Sequence, residues 1–141
     1  MTASGDIFFH SECSFQLKQE EKHTSWIKQT VHLENRIINE VNIIFCDDQY
    51  LLKKNQRYLL HDTLTDVITF DYSEKSAISG DIFISIDRVK ENAVNFAVPF
   101  EVELKRVMIH GVLHLMGYND KSAEEKKRMT EKENQYLTLF A

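Results

Sequence analysis

His110 and His114 stand four residues apart in the sequence, at the spacing that places side chains on one face of a helix with Cβ atoms roughly 5–6 Å apart. Two imidazoles so placed can bind one metal ion. Gly117 follows where such a helix commonly ends, because glycine adopts the left-handed C-cap conformation at little cost. The chain can then turn back and bring Asn119 or Asp120 to the same point. Two histidines, one carboxylate and an open fourth position form the ligand set of a catalytic zinc site.

The residues around the two histidines are apolar on nearly every side, which predicts a largely buried helix. Buried imidazoles need polar partners, and one metal ion would satisfy both. Without a metal, two histidines at this spacing are ordinary surface or core residues. The apolar positions are Val107, Met108, Ile109, Val112, Leu113, Leu115 and Met116.

The chain has 141 residues, of which 43% are hydrophobic and 28% are charged, as expected of one globular domain spanning residues 1–141. No apolar run approaches the ~20 residues that span a bilayer, and no leader pattern begins the chain, so we expect a cytoplasmic protein without a membrane segment. Cys13 and Cys46 are too few for a disulfide scaffold and are expected to be free thiols. A net charge of −5 argues against indiscriminate nucleic-acid binding but leaves room for a local basic groove.

Periodicity and caps predict an α+β fold in which about four strands form a mixed sheet packed with four or five helices. Short strands are predicted at residues 7–9, 15–17, 40–45, 65–70 and 81–86. Helices are predicted over 21–35, from Asp47 or Asp48 through Gln56, from an Asp87 cap to about Phe96, after Pro99, and from a Ser122 capping box to Leu139. The helix that follows Pro99 is central and carries the histidine pair.

Three segments together resemble a known family. His110–Tyr118 is similar to the signature of the YbeY family of metal-dependent endoribonucleases, which mature ribosomal RNA in bacteria. Asp62–Phe70 resembles the family's threonine-aspartate-valine strand, and Gly80–Ser85 resembles its glycine-aspartate-isoleucine strand. The match spans roughly residues 55–120. The resemblance implies an endoribonuclease of single-strand type that acts in rRNA processing, at the 3′ end of 16S rRNA, and in ribosome quality control.

The resemblance also implies RNA and the 30S ribosomal subunit as partners, and one Zn²⁺ per chain held by His110, His114 and Asp120. The family usually has a third histidine where this chain has Asp120. Aspartate is a competent zinc ligand, but its charge should make the ion a weaker Lewis acid. Asn119 is a poorer ligand because its amide is neutral, and His61 is the substitute if Asp120 points outward. Nickel, copper or iron would also suit such ligands.

A second departure concerns a cation. Family members commonly carry an arginine at the position of Leu59 here, and Arg57 is the nearest replacement as a catalytic residue. Lys53 and Lys54 are candidate substrate-binding residues beside it. A fixed cation would stabilise the negative charge of a phosphoryl transition state.

The sequence leaves several functions open. Gly111 occupies the place of the general-base glutamate in H-E-x-x-H, which argues against a zincin protease and indicates close backbone packing or room for a ligand. A metal-stabilised RNA- or ribosome-binding factor and a structural zinc site are both compatible with the same residues. The nucleophile could be water or the ribose 2′-hydroxyl. Asp66 and Asp81 are predicted to be structural, Tyr118 could bind a ligand or pack, and a monomer is the simplest state.

Overall fold

The computed structural model describes residues 5–59 and 65–140, with the side chains of residues 55–59 left outside the description. None of the helices in these two ranges is long and apolar enough to cross a bilayer. In chain order the elements are β1 (Asp6–Ser11), α1 (Glu20–Leu33), β2 (Ile37–Cys46), α2 (Asp48–Leu59), β3 (Val67–Asp71), β4 (Ala77–Ser85), α3 (Ile86–Asn95), α4 (Phe100–Leu115) and α5 (Ala123–Leu137).

The strands of the described residues join one mixed sheet in the order β1-β2-β4-β3. β1, β2 and β4 run parallel, and β3 pairs with β4 in the antiparallel direction. The central strands β2 and β4 are β-branched and mostly buried, because helices cover both faces of the sheet at this point. The predicted α+β class, with four strands and five helices, is confirmed.

The helices divide between the two faces of the sheet. On one face α1 and α4 pack Trp26 and Met108 into the larger core with Ile82. On the other face α2 places Leu51 in a smaller core with Phe83. Since neighbouring residues of a strand point to opposite faces, Ile82 and Phe83 mark the two sides of β4. The helix that carries the histidine pair therefore lies on the side of the sheet opposite to α2.

Gly111 lets α4 approach β4 closely. A Cβ atom built at this position would lie 2.7 Å from Cγ2 of Ile82, which is itself fully buried. Glycine in a helix interior costs about 1 kcal/mol relative to alanine. Close backbone packing, one of the two explanations that the sequence left open, accounts for that cost.

The helix ends near the histidine pair follow the predicted local rules. α4 ends at Leu115, and Gly117 follows with φ of 97°, where a side chain would be strained. The backbone N–H of Gly117 donates to the carbonyl of His114 at 3.0 Å. Ser122 and Glu125 then form the predicted capping box that begins α5. The turn between the two helices is thereby fixed at both ends.

Two local predictions were wrong. Residues 15–17 form no strand; the ring of Phe15 packs instead against Phe45 and Phe100, with centroids 5.1 and 5.8 Å apart. The apolar pattern there serves packing of an irregular segment. α3 is capped by Ser85, which accepts from the N–H of Arg88, rather than by Asp87. The helix begins two residues earlier than predicted because the hydroxyl of Ser85 accepts from the free N–H group of Arg88.

Candidate metal centre

α4 and the turn after it bring three predicted side chains to one point. Nε2 of His110 lies 2.9 Å from Nε2 of His114. The Oδ2 atom of Asp120 lies 3.2 Å from the first of these nitrogens and 3.5 Å from the second. All three side chains are partly exposed, Asp120 most of all at 40%. They form the group of possible metal ligands found among the described residues.

These separations are compatible with one ion bound between the three side chains. Tetrahedral zinc with bonds of about 2.0–2.1 Å places neighbouring ligand atoms roughly 3.3–3.4 Å apart. The three distances here, 2.9, 3.2 and 3.5 Å, lie around that value. Nitrogen and carboxylate oxygen are donor types that zinc accepts. The exposed side of Asp120 leaves room for a fourth ligand from solvent or substrate.

The second nitrogen of each ring is held by a hydrogen-bond acceptor. Nδ1 of His114 lies 2.9 Å from the backbone carbonyl of Tyr118. Nδ1 of His110 lies 2.6 Å from Oε2 of Glu133, a buried residue of α5. A carbonyl or carboxylate oxygen accepts, so both Nδ1 atoms must donate. Both Nε2 atoms then face Asp120.

The two imidazoles differ in their electrostatic surroundings. Burial opposes protonation of His110, but the hydrogen bond and the charge of Glu133 favour it. The negative charges of Asp120 and Asp66 also favour protonation, so the pKa of His110 lies above the ordinary histidine value. Burial and the neighbouring His110 lower the pKa of His114. When the protein is without a cation, a proton between the two Nε2 atoms therefore belongs to His110. A metal ion must displace that proton.

Tyr118 anchors the turn that carries Asp120. Its hydroxyl donates to Oε1 of Glu34 at 2.6 Å. The other oxygen of Glu34 accepts from Tyr136 and from Lys132, whose Nζ lies 3.1 Å away. The tyrosine hydroxyl, left open by the sequence, is thus engaged with α1. Glu34 joins α1, α5 and the turn, and so restricts where Asp120 can lie.

Two of the predicted cations, Lys53 and Lys54, lie elsewhere on the fold. α2 carries Lys53 and Lys54 on the sheet face opposite to α4; Lys53 is exposed, and Nζ of Lys54 lies 5.0 Å from the ring centroid of Phe83. Arg57 belongs to α2, but its side chain lies outside the described part of the chain, as does His61. The contacts of the described residues do not bring Lys53 or Lys54 to the histidine pair. Their contact with RNA stays a prediction.

Asp66 and Asp81, for which a structural role was predicted, each have hydrogen-bond partners within the fold. Oδ2 of Asp66 accepts from Asn92 at 3.4 Å, and burial raises its pKa. Asp81 accepts from Asn42 at 3.2 Å and from the hydroxyl of Tyr72 at 3.4 Å. Both aspartates thus tie neighbouring segments of the fold together.

Glu133 and Glu34 escaped the sequence reasoning. Glu133 does carry a signal, because Met129, Glu133 and Tyr136 occupy one buried stripe of α5 at helical spacing. A glutamate inside an apolar stripe needs a buried partner, and the histidine helix is the element that supplies one. Glu34 lies at the exposed end of α1 in the sequence pattern and gives no comparable signal.

Two imidazoles and a carboxylate that converge on an open point of an α+β fold are a possible metal site, with the ligand types that metal-dependent hydrolases use. A family model described as Endoribonuclease YbeY matches residues 9–141. The chain belongs to the YbeY endoribonuclease family.

Relatives named for this family match nearly the whole chain, and a solved structure matches its fold. A Flavobacterium psychrophilum protein named Endoribonuclease YbeY is 55% identical over 134 residues, 95% of this chain and 96% of that protein. A Karelsulcia muelleri protein of the same name is 51% identical, covering 93% of each chain. The solution structure of TM1509 from Thermotoga maritima matches with a TM-score of 0.70 and 32% identity, covering 94% of this chain and 87% of that one.

Proposed function

We propose that this protein is a zinc-dependent endoribonuclease that hydrolyses phosphodiester bonds of RNA in rRNA processing. The observation that carries the proposal is the convergence of His110 Nε2, His114 Nε2 and Asp120 Oδ2 within 2.9–3.5 Å, on a fold whose relatives are endoribonucleases. The metallohydrolase domain comprises residues 1–141. One Zn²⁺ per chain is held by these three side chains.

The residues of the chain prepare this site in two ways. His110 and His114 present Nε2 to one point because both Nδ1 atoms are engaged. Asp120 adds a negative charge that favours a cation at that point. Zinc held there would lower the pKa of a bound water toward neutrality and would polarise a phosphoryl oxygen. Hydrolysis would form a bond between the water oxygen and phosphorus while the ester P–O bond breaks, and the proton lost by the water would pass to the leaving oxygen.

Three basic residues of α2 are proposed to supply positive charge to the RNA. Arg57 is proposed as the cation that stabilises the transition state, and Lys53 and Lys54 as residues that bind the RNA backbone. Lys53 is exposed on this helix, which supports contact with a large ligand. The proposed partner is rRNA of the 30S subunit, near the 3′ end of 16S rRNA. The protein is proposed to act in the cytoplasm as a monomer.

The test compares zinc-loaded wild type with His114→Ala on a structured rRNA fragment, with His32→Ala as control because His32 is an exposed histidine of α1. We expect cleavage by wild type and the control, and loss of at least about 100-fold in rate for His114→Ala with RNA binding retained. Purified wild type that binds RNA and zinc but never cleaves would favour a binding factor instead.

Two further measurements sharpen the reaction. Cleavage of a DNA strand of the same sequence, and the end groups of the RNA products, show which nucleophile attacks. Attack by water leaves no cyclic phosphate. Attack by the ribose 2′-hydroxyl leaves a cyclic phosphate, and DNA is then not cleaved. Chelation should abolish cleavage while lowering the melting temperature only modestly, since the core of α4 is built from apolar residues. Unfolding on chelation would point to a structural zinc site.

A further inference from the structure

We propose that Glu133 is a positioning residue that fixes the tautomer of His110 and thereby prepares it to bind metal. This inference rests on the proposed metal centre but concerns a residue outside the three ligands. A neutral imidazole carries one proton, and only the nitrogen without it can bind a cation. The partner of the remote nitrogen therefore decides which way a ligand histidine is presented.

The geometry of Glu133 assigns each of its oxygens to one partner on α4. Oε2 lies 2.6 Å from Nδ1 of His110, and Oε1 accepts from Nη1 of Arg106 at 3.0 Å. Arg106 and His110 are four residues apart, so one carboxylate from α5 holds two successive turns of the histidine helix. The glutamate is buried, with only 9% of its side chain exposed.

The arginine decides the direction of the hydrogen bond to His110. A guanidinium has only donors, so the oxygen facing it must accept and the pair favours the charged carboxylate. A carboxylate has no proton to give, and Nδ1 of His110 must therefore be the donor. Nε2 is left with its lone pair directed at His114 and Asp120, where the metal is proposed to bind.

The two proposed histidine ligands are consequently not equivalent. His114 is backed by the neutral backbone carbonyl of Tyr118, whereas His110 is backed by a charged side chain. A carboxylate behind an imidazole makes the ring a stronger donor to metal than a carbonyl does. Only the His110 arrangement can be altered by a side-chain substitution, which makes it testable.

Glu133→Gln separates positioning from packing because glutamine has the same shape. The cation of Arg106 should attract the single amide oxygen, which turns the NH₂ group toward His110. That NH₂ group can only donate to Nδ1 and so moves the ring proton to Nε2, where it blocks metal binding. A role in packing alone predicts that this substitution changes nothing.

The matched control is Glu103→Gln. Glu103 is also buried on α4 and has its Oε1 atom 4.0 Å from Nε of Arg106, but its described contacts reach neither histidine. Both variants therefore remove one buried charge beside the same arginine. A general loss of charge balance around Arg106 would affect them alike.

Two readouts are needed, and one of them requires no metal. NMR of the ¹⁵N-labelled imidazoles in metal-free protein, above the titration of His110, should show its proton on Nδ1 in wild type and Glu103→Gln but on Nε2 in Glu133→Gln. Zinc affinity, measured by competition with a chromophoric chelator, should fall about 10–100-fold in Glu133→Gln and stay within about twofold in the control. Glu133→Ala, which removes the acceptor, should give a mixture of tautomers and a similar fall.

The outcomes separate this inference from the proposed function. Glu133→Gln with the wild-type tautomer and wild-type zinc affinity overturns the positioning role, as does an equal loss in Glu103→Gln. If wild type fails to bind zinc at all, the proposed metal centre is wrong. The NMR measurement in metal-free protein still shows whether Glu133 determines the tautomer of His110. Should Glu133→Ala fail to fold, the isosteric glutamine variant gives the answer alone.

Discussion

Nε2 of His110 lies 2.9 Å from Nε2 of His114 while the opposite nitrogen of each ring is held by an acceptor oxygen. Two neutral rings in this arrangement would point lone pairs at each other, which is unfavourable. A proton or a metal ion between them removes the conflict. The pair is therefore a site where a divalent cation competes with a proton.

This competition predicts proton release on metal binding. The pKa of His110 is raised above the ordinary value of 6.5, so in metal-free protein at pH 6.5 the ring is mostly protonated. Zinc binding at that pH should release roughly half a proton or more from His110, and the apparent affinity should fall as pH decreases. Calorimetry in buffers of different ionisation enthalpy measures the release. His32→Ala should behave as wild type, and heat independent of buffer at pH 6.5 would refute the competition.

Asp120 should contribute more to metal affinity than its neighbour in the turn. Its Oδ2 atom is 3.2 and 3.5 Å from the two nitrogens, whereas Asn119 is exposed and stands outside the ligand group. Asp120→Ala should lower zinc affinity by more than the ~10–100-fold typical of outer partners. Asn119→Ala is the matched control and should retain wild-type affinity. Undiminished metal content in Asp120→Ala would remove this residue from the site.

Exchange of Asp120 for histidine tests what the departure from the family pattern does. A third neutral imidazole should keep the ion bound while leaving it a stronger Lewis acid, because one negative charge is lost from the site. We expect Asp120→His to retain zinc. The rate of RNA cleavage should increase with pH, and this increase should occur at lower pH in the variant than in wild type. A rate profile that coincides with that of wild type would show that the aspartate charge does not reach the reaction.

The sequence predicted those parts of the site that depend on local rules. The helical spacing of His110 and His114, the glycine bend at Gly117 and the Ser122 cap each depend on residues within one or two turns, and all three are present. The contact between His110 and Glu133 spans 23 residues and depends on how α5 packs against α4. The helical spacing of α5 indicates that Glu133 is buried, but its pairing with His110 in particular follows from tertiary packing.

The same distinction explains the errors. The alternation of apolar and polar residues at Phe15 is compatible with a strand, but a strand also needs a neighbouring strand to pair with its backbone groups. The Phe15 ring packs on Phe45 and Phe100 instead. Ser85 and Asp87 are both good N-caps, and choosing between them required knowing where β4 ends. Local propensity allowed more than one structure, and tertiary contacts selected one.

Glu34 should stabilise the protein in a pH-dependent way. Burial works against its ionisation, but hydrogen bonds from Tyr118, Tyr136 and Lys132 outweigh burial and hold its pKa below the ordinary 4.5. A lowered folded-state pKa gives stability that is present above pH 4.5 and lost as pH falls through the folded value. Glu34→Gln should therefore lower the free energy of unfolding by about 1–3 kcal/mol at pH 7 and by less in acid.

Denaturant unfolding at several pH values checks the contribution of Glu34. Glu131→Gln serves as the control, because Glu131 is exposed on α5 and should change stability little at any pH. The gap between wild type and Glu34→Gln should narrow below pH 4.5, where the carboxylate of wild type becomes protonated. A gap that stays constant down to pH 3 would mean that the charge of Glu34 is not what stabilises the fold.

Gly111→Ala should destabilise the protein even though alanine is the better helix former. The added methyl group would lie 2.7 Å from Cγ2 and 3.2 Å from Cδ1 of Ile82, a fully buried residue. Overpacking of this kind costs about 1–3 kcal/mol, which exceeds the gain of about 1 kcal/mol in helix propensity. Because α4 must move away from β4, zinc affinity should fall together with stability.

A double-mutant cycle with Ile82→Ala identifies the cause. Removing the isoleucine side chain creates space, so Gly111→Ala should cost less in that background, with a favourable coupling of about 0.5–3 kcal/mol. Thr130→Ala, on the exposed face of α5, is the control for adding helix propensity without a contact. If Gly111→Ala instead gains about 1 kcal/mol and keeps its zinc affinity, Ile82 has rotated aside and close packing does not explain this glycine.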